Sequence, residues 1–168
     1  HTELEKARKI APEGILGFNI MVATKEYAKY VKEAVKAGAD VIISGAGLPI
    51  DMPKFVKEAE GREDCSSRRT MIAPIVSSVK SAMVICRMWD RKYQTAPDFV
   101  VVEGPRAGGH LGFSREQLTE YGADTDHVAE TYDEGKYDSE IRGIIDLVKS
   151  FAEKYGKKIP VISAGGVF

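Results

Sequence analysis

The chain has 168 residues, 43% hydrophobic and 29% charged, the proportions of ordinary globular material with enough apolar content for one sizeable core. A formal net charge of -1 and a pI near 6.4 give no electrostatic case for binding nucleic acid or an anionic membrane surface. No apolar run approaches the roughly 18 residues of a membrane span, and no leader-like segment opens the chain. Cys65 and Cys86 are far apart and lack metal-ligand spacing, so two free thiols in a reducing cytoplasm, and no metal, are expected.

In chain order, strand patterns alternate with helical ones. Phe18 to Ala23 (FNIMVA) is predicted as a strand; Thr24 precedes a helix with Tyr27, Ala28, Val31, Ala34 and Val35 on one face, ended by Gly38. Val41 to Ile43 forms the second strand, followed by the loop SGAGLP. Asp51 is then placed to cap a short helix carrying Phe55, Val56 and Ala59, before the polar stretch GREDCSSRRT. The third strand is Met71 to Val76, and Ser77 or Ser78 caps a helix burying Val79, Ala82, Met83, Cys86 and Trp89. Phe99 to Val102 is an unbroken apolar run of the kind buried on both faces of a parallel sheet. Asp138 is placed to cap a last helix, with Ile141, Ile144, Ile145, Val148, Phe151, Ala152 and Tyr155 on one face and Gly156 closing it. Pro160 to Ser163 is the fifth strand. The core takes most of these residues, and no function is assigned to Trp89 or the methionines.

Five strands separated by four helices imply a parallel α/β layout. The first four strands start at intervals typical of βα units, whereas the fourth and fifth are about twice as far apart. The excess, residues 113–138, reads as an inserted loop with a lid over the site as one option; most of its charges read as a solvated surface excursion, and His127 as a surface residue.

The stretch DFVVVEGPRAGGHLG, Asp98 to Gly112, carries the chemistry. Its strand runs into Glu103, Gly104, Gly108, Gly109, His110 and Gly112, where the missing side chains let backbone approach a ligand. His110 is the group there whose ordinary pKa lies near neutrality, suited to act as base or acid. GGH in isolation reads as an ordinary turn capped by the histidine. Yet the other polar or glycine-rich loops also follow strands: Ser44 to Gly47, Ser77-Ser78 and Ala164 to Gly166. In a (β/α)8 barrel all would lie on the C-terminal face, where active sites are built. A doubly wound sheet fits less well, since no GxGxxG follows the first strand.

These segments resemble the FMN-dependent (β/α)8 TIM-barrel family typified by nitronate monooxygenase (2-nitropropane dioxygenase), to which the flavin-dependent enoyl-acyl-carrier-protein reductases are related. The resemblance rests on Gly17 to Ile20, Ser44 to Pro49, the Ser77 to Ala82 stretch with Lys80, Glu103-Gly104 with Ala107 to Gly112, and Pro160 to Val167. It implies a single FMN-binding domain over residues 1–168 that oxidises alkyl nitronates or nitroalkanes with O2. Asn19 would hydrogen-bond the flavin ring, and Lys80 would lie near its electron-accepting edge, where an ammonium stabilises the charge of reduction; without the motif Lys80 reads as a solvated helix residue. Glu103, Gly108 and Gly109 would line the ring and ribityl chain, and Gly165 and Gly166 would offer N–H groups to the phosphate. His110 would be the base that removes an α-proton from a nitroalkane, or the group that holds an anionic nitronate.

A whole barrel needs roughly 200 to 250 residues, so the expectation is a barrel fragment of about five βα units that lacks an opening strand and whatever follows Phe168. The alternatives carried forward are an NAD(P)H-dependent enoyl-acyl-carrier-protein reductase of the same family and a truncated, catalytically inactive barrel piece. The expected partners are a small-molecule substrate and O2, with a homodimer kept as an option.

Overall fold

A computed structural model describes residues 2–61, 69–108, 112–123 and 132–165. Five strands, β1 (Gly17–Met21), β2 (Val41–Gly45), β3 (Met71–Val76), β4 (Val100–Glu103) and β5 (Val161–Ala164), form one sheet, in sequence order and all parallel. Helices α2 (Tyr27–Lys36), α3 (Met52–Glu60), α4 (Val79–Tyr93) and α6 (Glu134–Tyr155) connect successive strands, and neighbours in this series pack together, α2 on α3, α3 on α4 and α4 on α6. A strand order without reversal, with helices advancing in step, is the arrangement of a barrel wall; a doubly wound sheet reverses its order at a switch point.

The pleat explains which residues are buried. Ile42, Ser44, Ile72, Val76, Val100 and Val102 are buried beneath the helices. On the other face, Ala73 and Val101 are buried in the middle of the sheet, whereas Met21 on β1 and Ile162 on β5 stay exposed at its edges. Trp89, fully buried on α4, donates its indole N–H to Pro49 O at 3.0 Å and so holds the loop after β2 in place. Burying a ring of this size contributes strongly to the core only because its N–H is satisfied.

The N-terminal end of the sheet is stitched by two buried carboxylates in the same way. Asp40 N–H donates to Leu16 O at 2.8 Å while Asp40 Oδ2 accepts from Leu16 N–H, also at 2.8 Å. Asp98 N–H donates to Ile72 O, and Asp98 Oδ2 accepts from Ile72 N–H, each at 2.9 Å. Cations complete both knots: Arg8 on Asp40, and Arg69 and Lys157 on Asp98.

Several elements differ from the sequence prediction. A helix α1 (Thr2–Ile10) precedes β1, docked by buried Leu4 and by Arg8; a single buried apolar residue left no periodicity to find. β1 ends at Met21 and β4 is displaced by one residue, to Val100–Glu103. Asp51 stands at the start of α3 without capping it, because its carboxylate accepts from Tyr93 and Lys92. Ser78, rather than Ser77, caps α4, in a capping box with Ser81. α6 starts at Glu134 with Asp133 as its cap, so Asp138 is an exposed residue inside the helix. Ile145 is exposed, and Leu147 packs against the core instead. The described part of the 113–138 segment carries a helix of its own, α5 (Arg115–Glu120), as well as the first turn of α6.

Candidate functional site

The carboxyl ends of the strands bring the polar loops together. A cleft of about 180 Å³ is lined by Ala46, Gly47 and Leu48 after β2, Ile75 to Ser77 and Ser81 around the β3–α4 junction, Glu103 at the end of β4, and Gly112. Residues from three successive strand ends and from the far side of the glycine-rich loop therefore share one hollow. Ala46 holds φ 51, a backbone region that a residue with a Cβ rarely adopts, and such local strain tends to collect at working loops.

The glycines here have different tasks. At Gly112 a Cβ would lie 2.2 Å from Ser77 Oγ, so the absence of a side chain lets the loop close against the β3 end. Gly165, at φ 78, would place a Cβ 2.5 Å from that of Ala107, so it joins the β5 and β4 loops. Gly108 is exposed with nothing within 4 Å of its Cβ position, which leaves room for a ligand to approach.

Glu103 lines the cleft, and the backbone of Gly165 meets its side chain, Glu103 Cγ lying 3.3 Å from the Gly165 Cβ position. Lys80 is exposed on the first turn of α4 and is not among the cleft-lining residues, although its neighbours Ser77 and Ser81 are. Asn19 is exposed on edge strand β1 and lines a separate groove of about 530 Å³ between β1 and α2, with Phe18, Met21 and Tyr30. Gly109, His110 and Gly166 lie outside the described residues, as do His127 and Cys65. Among the described residues no cluster of His, Cys, Asp and Glu could hold a metal ion, and no helix is long and apolar enough to cross a membrane.

Tyr137, on the first turn of α6, was not singled out by the sequence. Its buried hydroxyl reaches Glu103 O at 2.9 Å and Ser77 O at 3.1 Å, and burial, the largest cause, pushes its phenol well above the ordinary range. Its ring meets Phe113 and Tyr121 edge-on, with centroids 5.7 and 5.4 Å away. A signal was present: Tyr137, Ile141, Ile144 and Val148 are in helical phase, but placing the helix start at Asp138 left Tyr137 outside. Glu140 was missed although it lies inside the expected helix, because nothing local shows which distant donor a carboxylate will meet; its Oε2 accepts from Val79 N–H at 2.7 Å at the start of α4. That start therefore already carries a carboxylate, the favourable sign for a helix N-terminus.

Sequential parallel strands with a cleft at their carboxyl ends define the chain as part of a (β/α)8 barrel with its candidate site on the customary face. The sequence model for nitronate monooxygenase matches residues 1–168, and the chain belongs to that family. Among solved structures, it is similar to FabK from Thermotoga maritima, with a TM-score of 0.52 and 18% identity over 96% of this chain and 45% of that one. A point mutant of that FabK aligns at 0.48, with 19% identity over 96% of this chain and 49% of its own. The likeness to the first shows the fold, and the chain spans under half the length of either structure. No curated protein matches it.

Proposed function

We propose that this chain supplies much of the site wall of an FMN-dependent oxidoreductase that oxidises alkyl nitronates or nitroalkanes with O2. The observation that carries the reading is the meeting of Glu103, Ser77 and Gly112 in one cleft at the strand ends, within a chain matched throughout by the nitronate monooxygenase family. The donor set fits a flavin: hydroxyls and a carboxylate for the polar edge of the ring, and open backbone at Gly108 where a flat ligand can approach. The cleft walls enclose less than the roughly 300 Å³ at which small-molecule sites begin, so they hold part of such a ligand.

In this reading Glu103, Gly108 and Gly109 line the ring and ribityl chain, and Asn19 hydrogen-bonds the ring from the β1 side. Gly165 and Gly166 present backbone N–H groups to the phosphate. Glu140 favours that assignment, because its carboxylate already satisfies the α4 start and would repel a second anion there. Lys80, exposed on the first turn of α4, would bring its ammonium toward the reducible edge in this reading. When bound, FMN supplies the redox chemistry. His110 takes the α-proton of a neutral nitroalkane onto its imidazole, or holds the anion of a nitronate that needs no deprotonation.

Titration with FMN followed by oxygen uptake with propionate 3-nitronate or nitroethane tests the reading. Uptake supports it; NADPH oxidation with an enoyl thioester replaces it with the reductase alternative. A protein that takes up no FMN leaves the inactive-piece alternative. His110→Ala should retain FMN and lose about 10² to 10⁴ in turnover of neutral nitroalkane, the scale of a general base.

A further inference from the structure

The β3–β4 ladder ends at the pair Val76↔Val102, so the next residues, Ser77 and Glu103, lie where the two strands part. On the other side of β4 the ladder continues one residue further, to Glu103↔Ala164. The opening between Ser77 and Glu103 is where the cleft forms. Across it stands the Tyr137 hydroxyl, within reach of Glu103 O at 2.9 Å and Ser77 O at 3.1 Å. A phenol has one proton to donate, so the two carbonyls share it, and the hydroxyl replaces the cross-strand bond that the ladder no longer makes.

Nearby contacts fix the phenol in this position. Tyr137, Glu140 and Gly143 follow one another along the same side of α6, and each meets the β3–α4 junction or the β4 end. Glu140 accepts from Val79 N–H, and a Cβ on Gly143 would lie 2.6 Å from Val79 Cγ2. Phe113 and Tyr121 press on the Tyr137 ring, and Asp133 N–H donates to Tyr121 O at 3.1 Å, so the segment after the glycine-rich loop is seated on the same phenol.

We propose that Tyr137 is a positioning residue for the cleft: its shared hydroxyl sets the separation of the β3 and β4 ends, and its ring couples that separation to the seating of the 113–123 segment. The identity of the ligand rests on the FMN reading above; the clamp does not. Tyr137 touches backbone carbonyls rather than the ligand, and acts through Ser77 and Glu103.

Tyr137→Phe keeps the three-ring cluster and removes only the hydroxyl. Tyr155→Phe is the control, since it removes another α6 hydroxyl, bonded to Asp90 at 2.5 Å far from the cleft. Both variants should lose about 2 to 4 °C in Tm, the scale of one net hydrogen bond. Amide exchange in peptides 76–80 and 102–107, measured without ligand, should quicken about tenfold in Tyr137→Phe and stay at wild-type rates in Tyr155→Phe. The FMN Kd should rise about tenfold in Tyr137→Phe alone, with a displaced visible band for the bound flavin. Unchanged exchange in those peptides, or FMN affinity and spectrum that match the control, overturns the proposal. If the wild-type protein takes up no FMN, the flavin reading fails and the exchange comparison alone decides the clamp.

Discussion

Gly165→Ala perturbs the point where two loops of the candidate site meet. The residue holds φ 78, and its missing side chain is replaced in space by Ala107, whose Cβ would lie 2.5 Å from the new methyl. Two costs add. An L-residue in left-handed backbone costs about 1 to 2 kcal/mol, and forcing a methyl against a neighbour that is itself fixed to backbone costs about 1 to 3 kcal/mol. The expected loss of about 2 to 5 kcal/mol is a large part of a typical domain's stability and corresponds to about 4 to 20 °C in Tm for a chain of this size. Urea unfolding measures it directly, with the emission of Trp89, the chain's one tryptophan and fully buried, as the probe. Ala107→Gly in the same background removes the closest clash and leaves the backbone cost and the looser contacts with the residue 107 Cα at 3.2 Å and Glu103 Cγ at 3.3 Å, so it should recover about 1 to 2 kcal/mol. A Gly165→Ala loss below about 0.5 kcal/mol, within the range of neutral surface changes, would refute the close packing, as would a double variant that recovers nothing.

At the opposite end of the sheet, Asp98→Ala removes the acceptor of Ile72 N–H and the partner of Arg69 and Lys157. It should cost about 2 to 4 kcal/mol by urea unfolding, more than Asp98→Asn, because a backbone donor is left unpaired. Asp90 is held below the usual carboxylate range first by the hydrogen bond from Lys154 and then by that from Tyr155. Its contribution is therefore complete above about pH 4 and is lost as pH falls through the lower folded-state value. Asp90→Asn should flatten the urea midpoint between about pH 2 and 5, and an unaltered acid limb would contradict the pairing. Tyr155, pushed up to about 12 by burial and then by Asp90, acts in the other direction. Its contribution is intact below about pH 10 and fades as pH rises through 12, so Tyr155→Phe should weaken the alkaline limb of the same profile. Cys86, buried with its thiol pushed up to about 12, should resist a thiol reagent at pH 8 in a Cys65→Ser variant and react fully once unfolded; rapid labelling of the native protein would count against its burial.

The parallel α/β class and the sites of most strands and helices were legible because they depend on neighbours in sequence. The unbroken apolar run of β4, the in-phase face of α4 and the glycine after α6 each act over a few residues, and each element formed where its pattern lies. Helix ends were less legible. Asp51 and Asp138 have the right chemistry for caps, but Tyr93 takes the first and the earlier cap Asp133 supersedes the second. The family motif in DFVVVEGPRAGGHLG was also local, and the match over residues 1–168 agrees with it. Only the folded chain decided how the loops face one another. The tyrosine clamp joins residues 60 and 34 positions apart, and the Asp98 knot joins residues 26 to 59 apart. Nothing in the local pattern selects which distant carbonyl a hydroxyl will meet, because that follows from the register of parallel strands and the closeness with which helices such as α6 settle on them. The glycine-rich stretch after β4 was therefore a candidate site on the sequence once the other loops that follow strands were set beside it, while the wall facing it, from Ser77 to Tyr137, required the tertiary structure.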